Sequence, residues 1–191
     1  MPESDPVPEL SATQTAILTA YCELIEEVGT DDISFRLIAV RAGIGERTVF
    51  RYYPTRVDLL LATSAWIERT IFTRQESESI FDVPIAIREA MEAYDRRPEL
   101  AHVVAETAMR GVNGSEPAPQ RDRFDAMLRT EVPALPEHER GLLVAALCHL
   151  DSSATWVIMR RELGMAGRDI ADAAMWAAEA QLDPIRDQTA G

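Results

Sequence analysis

Apolar residues recur at helical spacing along almost the whole chain, and no stretch holds the period of two that a half-buried strand needs. Gly, Pro and Asp separate the periodic segments. This pattern restricts the chain to an all-α fold. Ser11 and Gln14 form a capping-box signal, followed by one apolar stripe of Ile17, Leu18, Tyr21, Cys22, Leu24, Ile25 and Val28. Gly29 suits the position just past the end of that helix. Ser34 is a good N-cap for a short helix through Ala42, which Gly43 closes. A second short helix starts near Gly45 and must stop before Pro54, because proline pushes the preceding residue out of the α region. Thr55 and Asp58 cap a fourth helix, which runs through Leu59, Leu60, Trp66 and Ile67 to about Thr73. Further helices are expected at about 83–95, 98–110, 119–130, 137–163 and 168–182, about nine in all. The stretch from Gly111 to Pro117 has the composition of a flexible loop.

Charge is unevenly distributed. The 191-residue chain carries a net −13, yet the segment from Ser34 to Arg56 holds Arg36, Arg41, Arg47, Arg51 and Arg56 against the single acid Glu46. That segment is therefore +4 and the remainder −17. A concentrated basic patch on an acidic body can still hold phosphates, because salt confines each field to about 8 Å under physiological conditions. The longest uninterrupted apolar run is only a few residues, so no membrane span is expected. The start of the chain carries Glu3 and Asp5 without an apolar signal core and reads as a short disordered arm. Cys22 and Cys148 are then expected to be reduced core thiols of a cytoplasmic protein.

The segment that carries function is helix 35–42, the Gly43-Ile44-Gly45 turn and helix 46–53, which have helix-turn-helix proportions. The turn needs a residue that takes positive φ at no steric cost, and Gly43 supplies it. Ile38, Ala39, Ala42, Ile44 and Val49 can bury the angle between the helices, leaving Glu46, Arg47, Thr48, Arg51 and Tyr52 exposed. Such a face suits the major groove, where arginine pairs bidentately with guanine and aromatic or methyl groups touch thymine. The run from Ser34 through Leu60 resembles the signature of the TetR family of regulators, and Gly29 and the chain length also fit.

The resemblance implies roles for individual residues. Arg36 matches a position that reaches a base from the first helix of the motif. Glu46, Arg47, Thr48 and Tyr52 match the face of the recognition helix that reads bases and touches backbone. Arg56 matches the usual phosphate-gripping lysine, and Ser34 a capping hydroxyl that also approaches phosphate. Two departures stand out: Gly45 replaces a frequent serine, removing a side-chain cap, and Phe50 replaces a usual tyrosine, removing a hydroxyl. Tyr53 is expected to face the core.

The resemblance also implies that the rest of the chain binds a small effector and forms a homodimer. The stretch 137–163 carries Leu142, Leu143, Ala146, Leu147, Leu150, Ala154 and Val157. The last helix is dense in alanine on what reads as its inner side, at Ala173, Ala174, Ala177 and Ala180. Two such helices per subunit can build a four-helix interface. Trp66, His102, Phe124, Met127, His149 and Trp156 are the candidates for an apolar effector pocket, with Phe72, Met91, Tyr94 and Met109 as further possible lining. A hydrophobic or aromatic effector is expected.

Catalytic chemistry finds little support. Around Cys148, His149 and Asp151, neighbours one or two positions apart point in different directions on a helix, and His102 with Glu106 lacks a third partner for a metal. No Gly-rich phosphate loop, nucleophile elbow or HExxH motif occurs, and no cofactor is called for. The expectation is an arm at 1–10, a helix-turn-helix head at 11–58, and an effector-binding and dimerisation bundle at 59–191. Together these make a dimeric repressor that a small effector releases from a palindromic operator in double-stranded DNA. The competing reading is an all-helical ligand-binding or scaffold protein that no longer reads an operator.

Overall fold

The computed structural model describes residues 10–30, 32–74, 76–109 and 119–189. Residues 1–9 of the expected arm and the loop expected at Gly111–Pro117 lie outside them. Among the described residues the fold is all-α, with ten α-helices, one 3₁₀ turn and no strand. The chain divides into two compact units, Met1–Trp66 and Ile67–Gly191.

The first unit holds α1 (Ala12–Val28), α2 (Phe35–Arg41), α3 (Glu46–Tyr52) and most of α4 (Arg56–Thr70). The capping signals operate as written in the sequence. Ser11 and Gln14 make the reciprocal box at α1, and the Ser34 hydroxyl accepts from the Leu37 amide at 3.2 Å. At α4 the Thr55 amide donates to Asp58 at 3.0 Å, while the Asp58 amide donates to the Thr55 hydroxyl at 3.1 Å. Each cap satisfies backbone donors that the helix itself leaves orphaned. The corner between α2 and α3 turns on Gly43, whose φ is 68°. Two amides then bond back across it, Gly43 to Val40 at 3.2 Å and Ile44 to Ala39 at 3.0 Å. Ile38, Ala39 and Val49 close the angle between these helices, and Ile17, Leu18 and Ile25 of α1 are fully buried with them. Burying each such aliphatic side chain stabilises by roughly 1.5–3 kcal/mol. Val28, expected on the apolar stripe, is instead exposed at the end of α1.

The second unit begins in the last turn of α4. It continues through a 3₁₀ turn (Ile80–Asp82), α5 (Val83–Arg96), α6 (Pro98–Met109), α7 (Pro119–Glu131), α8 (Glu137–Leu150), α9 (Ser153–Arg161) and α10 (Gly167–Thr189). The main packing pairs are α5 with α10, α6 with α9, and α7 with α8. Ile87 and Met91 of α5, and Ile170, Ala171, Ala174, Ala178 and Leu182 of α10, are fully buried.

Three expectations are corrected here. The single helix expected over 137–163 is two, α8 and α9, bent by 60°. The break falls where Ser152 caps a new helix by accepting from the Thr155 amide at 3.2 Å. Apolar periodicity runs through that point and hides it. The last helix continues to Thr189 rather than ending near 182, with Pro184 inside it. Of its alanines, Ala171, Ala174 and Ala178 face the core, whereas Ala173 and Ala177 are half-buried and Ala180 is exposed.

Candidate nucleic-acid interface

The local rules that make α3 a helix also decide which side of it meets solvent. Val49 is fully buried against α2, so Glu46, Arg47, Phe50 and Arg51, at relative positions 0, 1, 4 and 5, share the outer face. Arg36 is exposed on α2. Among the described residues, Arg36, Arg47 and Arg51 form no ion pair. The Arg51 guanidinium lies 5.1 Å from the centre of the Tyr52 ring.

Of the five arginines in the basic segment, one is paired with carboxylates and one is bonded to the backbone. Arg41 donates to Glu27 at 2.6 and 2.8 Å and to Glu23 at 3.2 Å, so it ties α2 to α1 and its charge is cancelled locally. The pairing holds the Glu27 carboxyl below its ordinary pKa and raises that of Arg41. Arg56 is exposed, and its guanidinium donates to the Thr30 carbonyl at 3.0 Å. The effective basic surface is thus Arg36, Arg47 and Arg51, with Arg56 at the start of α4.

The remaining expected contact residues take different positions. Ser34 is exposed while serving as the α2 cap, and Glu46 is exposed in the first turn of α3. Thr48 is half-buried, with its hydroxyl near Gly45. Tyr52 is also half-buried, and hydrogen bonding to Ser11 at the start of α1 lowers its pKa from the ordinary value. Tyr53 is 5% exposed, as expected of a core residue, and burial pushes its pKa up.

Sequence reasoning missed Phe50 as a surface residue. It is 47% exposed, yet its ring meets Phe35 edge-on at 4.6 Å between centres, which ties the first turn of α2 to α3. The signal was available: Phe50 stands three and four residues after Arg47 and Glu46, on the same helical face.

In the larger unit, the effector candidates do not converge on one space. Phe124 is buried and lines a small, partly open cavity. His102 and Trp156 pack edge-on at 5.4 Å, with the His102 Nδ1 2.7 Å from the Pro98 carbonyl. Met127 is half-buried and His149 exposed. Trp66 lies on α4, at the end of the first unit. Of the further lining residues, Phe72, Met91 and Tyr94 are core and Met109 is exposed. An apolar strip lies open on the outer sides of α8 and α10. Leu142 is 60% exposed and Trp176 70%, flanked by Ala145 and Ala180. Cys22 is buried and Cys148 half-buried, and neither forms a disulfide among the described residues.

Residues 17–63 match the model of the bacterial regulatory proteins of the tetR family. No curated protein sequence matches the chain. Among solved structures, a TetR variant from Acinetobacter baumannii AYE in complex with minocycline is 14% identical, with a TM-score of 0.62 over 95% of this chain and 99% of its own. A TetR transcriptional regulator from Rhodococcus sp. RHA1 is 22% identical, with a TM-score of 0.58 over 92% of this chain and 99% of its own. NalD, the secondary repressor of the MexAB-OprM multidrug efflux pump in Pseudomonas aeruginosa, is 17% identical, with a TM-score of 0.55 over 92% and 94%. At these identities the likeness is one of fold. The family match is confined to the helix-turn-helix head, and the fold of the described residues is similar to that of solved TetR-family regulators.

Proposed function

We propose that the protein is a dimeric, DNA-binding transcriptional repressor whose larger unit accepts a small effector. The observation that carries this reading is the outer face of α3. Arg47 and Arg51 stand exposed there without an internal carboxylate, with Arg36 exposed on the adjoining helix. Guanidinium groups left unpaired on a short, well-capped helix suit guanine edges and phosphates. Ser34, Arg36, Glu46, Arg47, Thr48, Arg51, Tyr52 and Arg56 form the proposed contact set within a head spanning residues 11–58, and Phe50 joins it as an apolar contact for a thymine methyl.

Two heads on successive major grooves sit about 34–36 Å apart, which calls for a two-fold dimer. The open strip on α8 and α10 supports that arrangement. His138, Leu142, Ala145 and His149 recur on α8 at relative positions 0, 4, 7 and 11, as do Asp169, Ala173, Trp176 and Ala180 on α10. That spacing makes a seam two helices can share with two copies of themselves. Effector control fits a helix that belongs to both units, as α4 does. A coupling of about 1–3 kcal/mol between sites changes affinity roughly 5–150-fold. The solved A. baumannii relative carries minocycline, and NalD is itself a repressor, which supports the same division of labour here.

Selection of bound fragments from random duplex DNA tests the reading. We expect an enriched palindrome whose log affinity falls linearly with log salt. Replacing Arg47 or Arg51 by glutamine should weaken binding and, where the contact is to phosphate, reduce the salt slope by about one. Arg41→Gln should leave the slope unchanged. Binding that is indifferent to salt, or no enriched sequence at all, would overturn the proposal.

A further inference from the structure

The small, partly open cavity in the larger unit has a charge imbalance on its border. It measures about 10 Å³, room for one water at most. Its polar border is Arg74, Arg123 and Asp151, with Ser77 and Gln120, and its apolar wall includes Ile87 and Phe124. Two guanidiniums therefore face one carboxylate.

Arg74 and Asp151 belong to each other. Arg74 pairs with the Asp151 carboxylate, donates to the Asp151 carbonyl at 2.7 Å, and donates to the Tyr94 hydroxyl at 2.6 Å. Asp151 is 6% exposed and Tyr94 3%, so Arg74 is bonded to two buried partners. Arg123 is different. Its Nη2 donates to the Ser77 carbonyl at 3.2 Å, and among the described residues no carboxylate forms a salt bridge with it. A guanidinium presents five donors in a planar fork, and one bond to a carbonyl uses a single donor and offsets no charge. A half-buried cation beside an apolar wall, with the one carboxylate of the cavity lining already paired to Arg74, suits an incoming anion.

We propose that this cavity receives the carboxylate of a small, otherwise apolar acid. The acid group lies in the fork of Arg123, and the tail parts Phe124 from Val83 and Ile87. The inference rests on the reading of the larger unit as effector-binding and narrows it from an apolar ligand to an acidic one. At about 10 Å³ the space does not admit a carboxylate as it stands, so head group and tail both enter by displacing side chains. Ordinary hydrophobic effectors would leave Arg123 uncompensated.

Calorimetry and thermal melting of the full chain, with no DNA present, test this independently of operator binding. The probes are sodium hexanoate and benzoate, the neutral hexanamide and benzamide, acetate, and chloride alone. We expect the two acids to bind at least tenfold more tightly than their amides and to raise the melting temperature. Arg123→Gln should cost at least tenfold in acid affinity while leaving amide binding unchanged. Arg123→Lys, which keeps the charge but not the fork, should fall between, and it serves as the readout where the glutamine variant does not fold. Equal binding of acids and amides would overturn the proposal in favour of an apolar site. Equal effects of chloride, acetate and hexanoate would make it a bare anion site with no tail. No response to any probe would mean the cavity holds only water. A positive result would stand even if the DNA reading failed.

Discussion

Single residues here are understood through partners far away in sequence. Arg41 looks like part of a basic patch when the chain is read in order, yet Glu23 and Glu27 cancel it. Asp151 shows the opposite effect. Burial pushes its carboxyl up from the ordinary 3.8 to about 6, with the Arg74 pairing only partly opposing the shift. The sign follows from proton linkage. Between pH 6 and 4 the folded chain holds a proton that the unfolded chain has released, so this group makes the fold more stable as pH falls through about 6. Glu68 is also raised by burial, and Tyr94, pushed to about 12, does not titrate in this range. Asp151→Asn isolates the effect, since every other group is common to both proteins. Denaturant midpoints at pH 7 and pH 5 should show the wild type gaining on the variant as pH falls. A constant difference would mean that burial does not dominate at this carboxyl.

At the scale of elements, the head is decided by caps and one corner. Gly43 has φ 68°, and a Cβ added there meets nothing within 4 Å, so alanine would suffer only the left-handed backbone penalty. Gly43→Ala should cost about 1–2 kcal/mol in chemical denaturation with an unchanged slope. Gly45→Ser should do the reverse, adding a few tenths of a kcal/mol by restoring a side-chain cap to α3. Gly45 already has the extended backbone of an N-cap, and its Cβ would meet only Thr48 Oγ1 at 3.9 Å. The boundary at α8 and α9 teaches the complementary lesson. Ser152 was a legible cap, but an apolar period that continued across it outweighed one polar residue, and the Arg74 pairing that holds Asp151 at the bend is 77 residues distant.

For the whole molecule, the prediction concerns assembly. The seam on α8 and α10 leaves Leu142 and Trp176 open to water, and a stable interface must bury about 1,000 Å² or more in total. Trp176→Asp places a charge in the centre of that seam without touching the core side of α10, formed by Ala171, Ala174 and Ala178. Light scattering should find the wild type at twice the 21.2 kDa chain mass and the variant at the chain mass. Affinity for a palindromic duplex should fall at least tenfold in the variant, while its helical content stays the same. A variant that remains a dimer would place the interface elsewhere.

Most helix positions, the caps at Ser11, Ser34 and Thr55 and the glycine corner could be read from the chain, because each depends on residues within about four positions of one another. The membership of Arg47 and Arg51 in one exposed face followed from the same local period. What tertiary structure alone decided was which side of each helix is covered. The alanines of α10 between Ala171 and Ala180 spread over one half of the helix, so composition does not single out the narrower strip of Ala171, Ala174 and Ala178 that packing covers. The commitment of Arg41 to α1, the edge-on contact of Phe50 with Phe35 and the closing of Asp151 onto Arg74 were likewise settled by three-dimensional contact. Burial and charge pairing are properties of neighbours in space, and local sequence does not contain them.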